Sequence, residues 1–270
     1  MASPIRLFIS DVDGTLVRSD KSLAEATIAA VRRLREAGLP FTLISARPPS
    51  GMYWLAEALG IDLPMGAFNG GTLFRPDGHI IEQHHLPEDV ARDALKRLDG
   101  PGVEIWVFAD GKWFATEADG HHHAREVQAA QVDAVVTRDF SDLLPRIDKI
   151  VGVCDDEPLI MALERDLKAA YPGATVARSQ PYYLDITSGV ANKGDGVAFL
   201  AKAIGVELND VAVAGDMAND LPMFARAGLS VAMGQGPDAV KQAAAFVTGP
   251  TDEDGLAAAI TDLILPRLRA

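Results

Sequence analysis

IRLFISDVDGTL, residues 5–16, decides how this 270-residue chain is read. Ile5 to Ser10 is a short, mostly apolar run with the character of a buried strand, and it breaks into the polar turn Asp11-Val12-Asp13-Gly14. Alternate residues of an extended segment share a side, but at a strand end the chain begins to turn. One carboxylate can then face a substrate while the other lies beside it, close enough to hand over a proton. Gly14 permits the tight turn, and Thr15 can satisfy backbone groups exposed there.

Working outward, Leu23, Thr27, Ala30, Val31 and Leu34 line one helical stripe, with Ser22 and Glu25 at capping-box spacing and Gly38 as the stop. Leu39 to Ile44 reads as a second strand, Ser50 to Leu59 as a helix closed by Gly60, and Met65 to Phe68 as a third strand. Apolar strands separated by amphipathic helices imply a parallel sheet covered on both faces. At Asn69 the rhythm changes. Thr72 to Phe74, Pro-Asp-Gly and Ile80 to Glu82 form a hairpin signature, followed to about residue 187 by a mixed α+β insert. Its helices are read at Glu88–Leu98, His123–Ala130 and Leu159–Ala170, and its strands near 103–109, 113–116, 149–154, 175–178 and 182–186. After Gly189 the first rhythm returns, with a helix from Lys193 and a strand at Val211 to Ala214 that ends in Gly-Asp. Near the C-terminal end, Thr251 and Asp254 again have capping-box spacing before a helix at Gly255–Leu265. The expected division is a discontinuous core, 1–83 and 188–270, with an inserted domain at 84–187.

Lys and Arg number 25 against 38 Asp and Glu, a net charge of −13, which argues against a nucleic-acid binder with a broad basic face. With 48% hydrophobic residues and a mean hydropathy of +0.09, a sizeable core is expected rather than disorder. The single cysteine, Cys154, excludes an internal disulfide and a clustered-thiolate metal site, and a reducing compartment is the natural reading. No secretory signal is read at the N-terminus, and no apolar stretch approaches the ~18–20 residues that span a bilayer. The expectation is a cytoplasmic protein with no membrane or nucleic-acid partner, and a monomer by default.

In a parallel α/β sheet, ligands bind beyond the carboxyl ends of the strands. There lie Asp11 and Asp13, then Ser45 and Arg47, then Asn69, and, after the strand at 211–214, Asp216 and Asp220. Four carboxylates gathered at one edge repel one another unless a cation sits among them, and Mg²⁺ with hard oxygen ligands resolves this. Asp11 fits a nucleophile that attacks phosphorus, and Asp13 the general acid and then the base that activates water. Lys193, at a helix start, supplies buried positive charge, and Ser45 a hydroxyl. Asp216 would bind the metal, Asp220 would join it or orient Lys193, and Asn219 would tie the loop together.

Asp-Val-Asp-Gly-Thr-Leu at 11–16, Ser45 after an apolar strand, Lys193 before Gly194, and Gly-Asp-Met-Ala-Asn-Asp at 215–220 resemble the four ordered motifs of the haloacid dehalogenase-like hydrolases. The long insert is similar to that of the Cof-like phosphatases, whose α/β cap closes over the active site. The resemblance covers essentially the whole chain. It implies a Rossmann-like α/β core with an inserted C2-type cap. It makes Asp11 the nucleophile, Asp13 the acid/base, Ser45 and Lys193 phosphate binders, and Asp216 a Mg²⁺ ligand with Asn219 and Asp220 supporting. It further implies that the Asp13 backbone carbonyl joins the metal and that Arg47 and Asn69 lie near the phosphate or the substrate entrance. Met217 departs from the small polar residue that many relatives carry there, and cannot lend a hydroxyl near the metal. The presence of Asp13 argues against dehalogenation itself.

Other features read as structural. His121, His122 and His123 are adjacent, so they are expected not to converge on one metal but to form a solvated loop or helix start. Cys154, in an apolar run, is expected to be an inert core thiol. Gly-Gln-Gly-Pro at 234–237 lacks a P-loop continuation and is read as a structural loop near the site. Trp106, Trp113, Phe114, Tyr182 and Tyr183 are mostly cap core, with stacking on a substrate ring the less favoured role. The function expected is Mg²⁺-dependent hydrolysis of small phosphomonoesters, sugar phosphates first, through an aspartyl-phosphate. A sugar phosphomutase and a non-enzymatic sensor of a phosphorylated metabolite are the alternatives.

Overall fold

The computed structural model describes residues 4–268. In chain order its first elements are β1 (Leu7–Ser10), α1 (Glu25–Glu36), β2 (Phe41–Leu43), α2 (Tyr53–Leu59), β3 (Met65–Ala67), β4 (Thr72–Phe74) and β5 (Ile80–Gln83). The insert contributes α3 (Glu88–Leu98), β6 (Glu104–Ala109), β7 (Lys112–Ala115), α4 (His123–Ala130), β8 (Ala134–Val136), β9 (Ile147–Val153), α5 (Glu157–Ala170), β10 (Ala174–Gln180) and β11 (Tyr183–Ser188). The chain then runs through α6 (Lys193–Ile204), β12 (Val211–Gly215), α7 (Leu221–Phe224), β13 (Leu229–Ala232), α8 (Asp238–Ala243), β14 (Phe246–Val247) and α9 (Gly255–Ala259).

Five parallel strands in the order β14-β13-β12-β1-β2 form the core sheet. The period of two along β1 sorts its side chains. Phe8 enters a cluster with Val31, Leu34, Leu43 and Ile260, while Leu7 and Ile9 pack with Val197, Leu200 and Val213 on the other face. Each such fully buried side chain contributes about 1.5–3 kcal/mol, which is why the strands are continuous in apolar character. β3 meets β2 through a single parallel bridge, Ile44 to Gly66, and then turns into the antiparallel set β3-β4-β5.

The insert is a cap built on a six-stranded sheet, order β10-β11-β9-β6-β7-β8, antiparallel except for β7 with β8. One face packs beneath α3 and α5 through Leu98, Ile105, Ile150, Ile160 and Leu167. The other carries Trp106, Phe108 and Trp113, which join the core cluster. The cap rests directly on core loops. The Lys149 ammonium donates to the Ala46 carbonyl at 3.0 Å and the Ser50 hydroxyl to the Ala130 carbonyl at 2.6 Å. A Cβ on Gly51 would lie 2.2 Å from the Ala129 carbonyl oxygen, so only glycine allows this approach. Among the described residues no helix is long and apolar enough to cross a membrane.

Neither capping box forms. α1 starts after Ala24 with no side-chain cap, because Ser22 spends its N–H and hydroxyl on the Asp20 carboxylate. The Thr251 hydroxyl donates to the Thr15 carbonyl, while Asp254, at φ +60°, pairs with Arg18. These residues tie the C-terminal segment to the loop after β1. Thr15 contributes its carbonyl there, and its own hydroxyl is buried without a partner. β8, too short for a periodic signal, was not expected from the sequence.

Gly70, at φ +92°, lets the turn after β3 press on α6: a Cβ there would lie 2.5 Å from the Gly196 Cα. Gly70→Ala should therefore destabilise the protein by about 1–3 kcal/mol, read as a lower urea midpoint. An unchanged midpoint would contradict the close contact.

Candidate active site

Every polar outlier named from the sequence lies beyond the carboxyl ends of the core strands, and the cap covers them. Asp11, Asp13, Ser45, Arg47, Lys193, Asp216, Met217 and Asn219 line one cavity with Lys21 of the core and Arg125, Glu126, Lys149, Ser179, Gln180 and Tyr183 of the cap. Asn69 and Asp220 stand immediately behind it. Asn69, at φ +59°, accepts from the Asn219 amide at 3.1 Å, so Asn219 joins two loops rather than closing its own.

Lys193 is 1% exposed and donates to Asp11 on one side and to Asp220, at 2.6 Å, on the other. It is placed by the first turn of α6, where the Asn192 side chain accepts from the Asp195 N–H as the helix cap. Burial alone would lower the pKa of this ammonium, but the two carboxylates outweigh burial and keep it charged. Asp220 is fully engaged. Its second oxygen accepts the N–H groups of Asp216 and Met217 at 2.8 and 2.9 Å. Of the two roles open to Asp220, orienting Lys193 and the Asp216 loop is the one its bonds describe.

The two carboxylates of the first turn sit in opposite fields. Burial, reinforced by Asp220 and Asp13 and opposed by Lys193, pushes Asp11 up to about 7. Asp13 is also subject to burial, which would raise it, yet Arg47 and Lys21 overcome this and hold it well below the usual carboxylate range. Arg47 grips Asp13 with two nitrogens at 2.7 and 2.8 Å, and Lys21 closes the other side. Arg47 thus sits on a catalytic candidate rather than free at an entrance. Ser45 accepts from the Arg47 N–H at 3.2 Å, and its hydroxyl borders the cavity.

Oxygens of Asp11, Asp216 and Asp220 lie within 4.8 Å of one another. Asp216 is pushed up to about 8, first by burial and then by facing Asp11 and Asp220. Excess negative charge on hard oxygen donors is the setting a divalent cation neutralises, so the donor set fits Mg²⁺. The fit extends to Gly14, where a Cβ would lie 2.3 Å from an Asp216 oxygen; no other residue leaves room for that carboxylate.

Sequence reasoning missed Lys21, Glu126 and Lys149, and read Gln235 only as part of a structural loop near the site. Gln235, in the Gly-Gln-Gly-Pro loop, donates to the Gly14 carbonyl at 2.6 Å and accepts from the Thr251 N–H. Lys149 had a signal, a charge opening an apolar strand; Lys21, at φ +67°, had none. The histidines form a loop and the start of α4, as read from the sequence: His121 and His122 pair, at 2.9 and 2.8 Å, with the two oxygens of Asp155, while His123, the first residue of α4, is buried against Glu104 rather than solvated. Cys154 is buried, and burial pushes its thiol up, as an inert thiol should be. Trp106 and Trp113 are wholly buried, whereas Tyr183 reaches the cavity.

The sequence pattern of the haloacid dehalogenase-like hydrolases matches residues 8–260. The chain belongs to this family, and it is an enzyme of its phosphatase kind. It is 30% identical over 251 residues to a candidate phosphatase of Haemophilus influenzae, covering 92% of this chain and 94% of that one. It is 27% identical over 267 residues to the 5-amino-6-(5-phospho-D-ribitylamino)uracil phosphatase of Bacillus subtilis, covering 93% and 94%. A solved haloacid dehalogenase-like hydrolase from Bacteroides thetaiotaomicron superposes with a TM-score of 0.82 at 27% identity, covering 95% and 98%.

Removing the Lys193 charge strands two buried carboxylates. Lys193→Met should cost about 3–5 kcal/mol of stability in metal-free buffer, measured by urea unfolding. A loss below about 1 kcal/mol would show that the ammonium is not what balances Asp11 and Asp220.

Proposed function

We propose that this enzyme hydrolyses small phosphomonoesters, sugar phosphates foremost, by transferring the phosphoryl group to Asp11 and then to water. The observation that carries the reading is the placement of Asp11. It is a buried carboxylate on the cavity wall, with one oxygen held by Lys193 and with Ser45, Asp13 and Asp216 around the same space.

Asp11 attacks phosphorus in line, Lys193 and the Ser45 hydroxyl take up charge on the non-bridging oxygens, and Asp13 protonates the leaving oxygen. Asp13 then removes a proton from the water that cleaves the aspartyl-phosphate. At rest Asp13 is an anion clasped by Arg47 and Lys21. An arriving phosphate dianion competes for those cations and frees Asp13 to carry a proton. Asp11, Asp216 and the backbone carbonyl of Asp13 would hold Mg²⁺, which offsets the repulsion between a carboxylate nucleophile and a dianion. Residues 84–187 act as the cap, opening to admit substrate and closing to exclude water, over a core of 1–83 and 188–270. We place this chemistry in the cytoplasm.

Asp11→Asn should reduce Mg²⁺-dependent phosphate release to background while leaving the circular dichroism spectrum unchanged. Ordinary turnover by that variant would refute covalent catalysis at Asp11. Asp13→Ala should lower kcat by about 10²–10⁴.

Metal removal has a pH signature. Without Mg²⁺, Asp11 and Asp216 hold protons up to about 7 and about 8, so the stability this lends is present at low pH and is lost as pH rises through those values. Mg²⁺ takes the place of the protons. The gain in Tm on adding it should therefore grow from about pH 6 to about pH 8.5. A gain that does not vary over this range would contradict the assigned ligands.

A further inference from the structure

The cap presents buried polar atoms to the seam that the protein leaves short of well-formed hydrogen bonds. Tyr183, Asp185 and Thr187 alternate along β11 and so share a face, and Tyr183 borders the reaction cavity. The Tyr183 hydroxyl is buried without a hydrogen-bond partner, and Asp185, 2% exposed, has the Ser179 and Asn69 side chains near its oxygens but neither in good hydrogen-bonding geometry. The nearest ammonium to Asp185, that of Lys149, is 3.9 Å away and donates instead to the Ala46 carbonyl. Across the cavity the side-chain oxygen of Asn219 is likewise unpartnered. Leaving such groups unpaired costs about 1–3 kcal/mol each, and more for a charged one, so their retention calls for a partner that arrives with the substrate.

The unsatisfied set is rich in acceptors. It needs donors, and hydroxyl groups supply them. Charge narrows the choice further. Glu126, also buried, borders the cavity beside Lys149, so on the cap side two carboxylates face one buried ammonium, with Arg47 and Lys193 of the core acting on them more weakly. Arg125 lies at the exposed rim, over the Tyr182 ring. Among the described residues lining the cavity, Tyr183 is the one aromatic side chain, which gives a flat ring little to stack on.

We infer that Asp185 and Tyr183, backed by Glu126, determine specificity: they admit a leaving group that carries several hydroxyls and disfavour one that carries a second anion. This deepens the phosphatase reading and rests on it. The discrimination belongs to the leaving group alone, because the phosphoryl group is held by the core.

The test compares kcat/KM, with Mg²⁺, for sorbitol 6-phosphate, 6-phosphogluconate and p-nitrophenyl phosphate. The first two share a polyol chain and differ by a carboxylate, and the third has no hydroxyl to offer. The wild type should favour sorbitol 6-phosphate over 6-phosphogluconate by at least about tenfold. In Asp185→Asn and in the milder Tyr183→Phe, the ratio of sorbitol 6-phosphate to p-nitrophenyl phosphate should fall by at least about tenfold, mainly through KM. A ratio that stays put in both folded variants, or a wild-type preference for 6-phosphogluconate, overturns the assignment while the phosphatase reading stands. Absence of turnover on all three esters overturns the phosphatase reading and the assignment with it.

Discussion

One ammonium makes the site possible. Asp11, Asp216 and Asp220 crowd together with almost no access to water, and Lys193 is the cation lodged between two of them. A buried carboxylate without such a partner costs several kcal/mol, so the position of α6 is set by electrostatics as much as by packing. The helix is brought in close by glycines: a Cβ on Gly194 would lie 2.7 Å from the Pro222 carbonyl oxygen, and one on Gly196 would lie 2.7 Å from the Gly70 Cα. The start of α6, the turn after β3 and the acidic loop after β12 thus form one packed unit. Even with Lys193 in place, Asp11 and Asp216 remain protonated to unusually high pH, and this residual imbalance is what a divalent cation would correct.

Two residues further on, Asp13 has the opposite surroundings. Arg47 and Lys21 surround it, and neither is shared with Asp11 by a hydrogen bond. Separating two neighbouring carboxylates into different fields is how one turn can hold both a nucleophile and a proton carrier. The turn achieves this because Val12 anchors it. The backbone N–H groups of Leu16 and Val17 both donate to the Val12 carbonyl, and Val12 itself is fully buried. Gln235 then clamps the Gly14 carbonyl from the far side. The specificity inferred for the cap is independent of this machinery, since Asp185 and Tyr183 approach from β11.

Much of this was legible in the sequence because strand ends and glycine turns are local features. The apolar run before Asp11, the strand before Gly215 and the helix starting at Lys193 place their charged residues at one sheet edge by topology alone. Contacts made across the cap seam were not legible. Glu126 and Lys149 lie in a helix and a strand whose orientation depends on how two sheets pack, and no spacing rule reports that. Arg47 was foreseen near the phosphate but not as a clasp on Asp13, since pairing depends on rotamer and distance. The capping boxes failed for a related reason: Ser22 and Thr251 found better partners in Asp20 and in the Thr15 carbonyl, and spacing does not exclude such competitors.

The central claim is that Asp11 itself accepts the phosphoryl group. Acid-quenching the enzyme during turnover of a ³²P-labelled phosphomonoester with Mg²⁺, followed by peptide mapping, tests it directly. The account predicts acid-stable, hydroxylamine-labile label on the peptide that contains Asp11, and none in Asp11→Asn. Steady turnover with no protein-bound label at any quench time, or label on another residue, would contradict it.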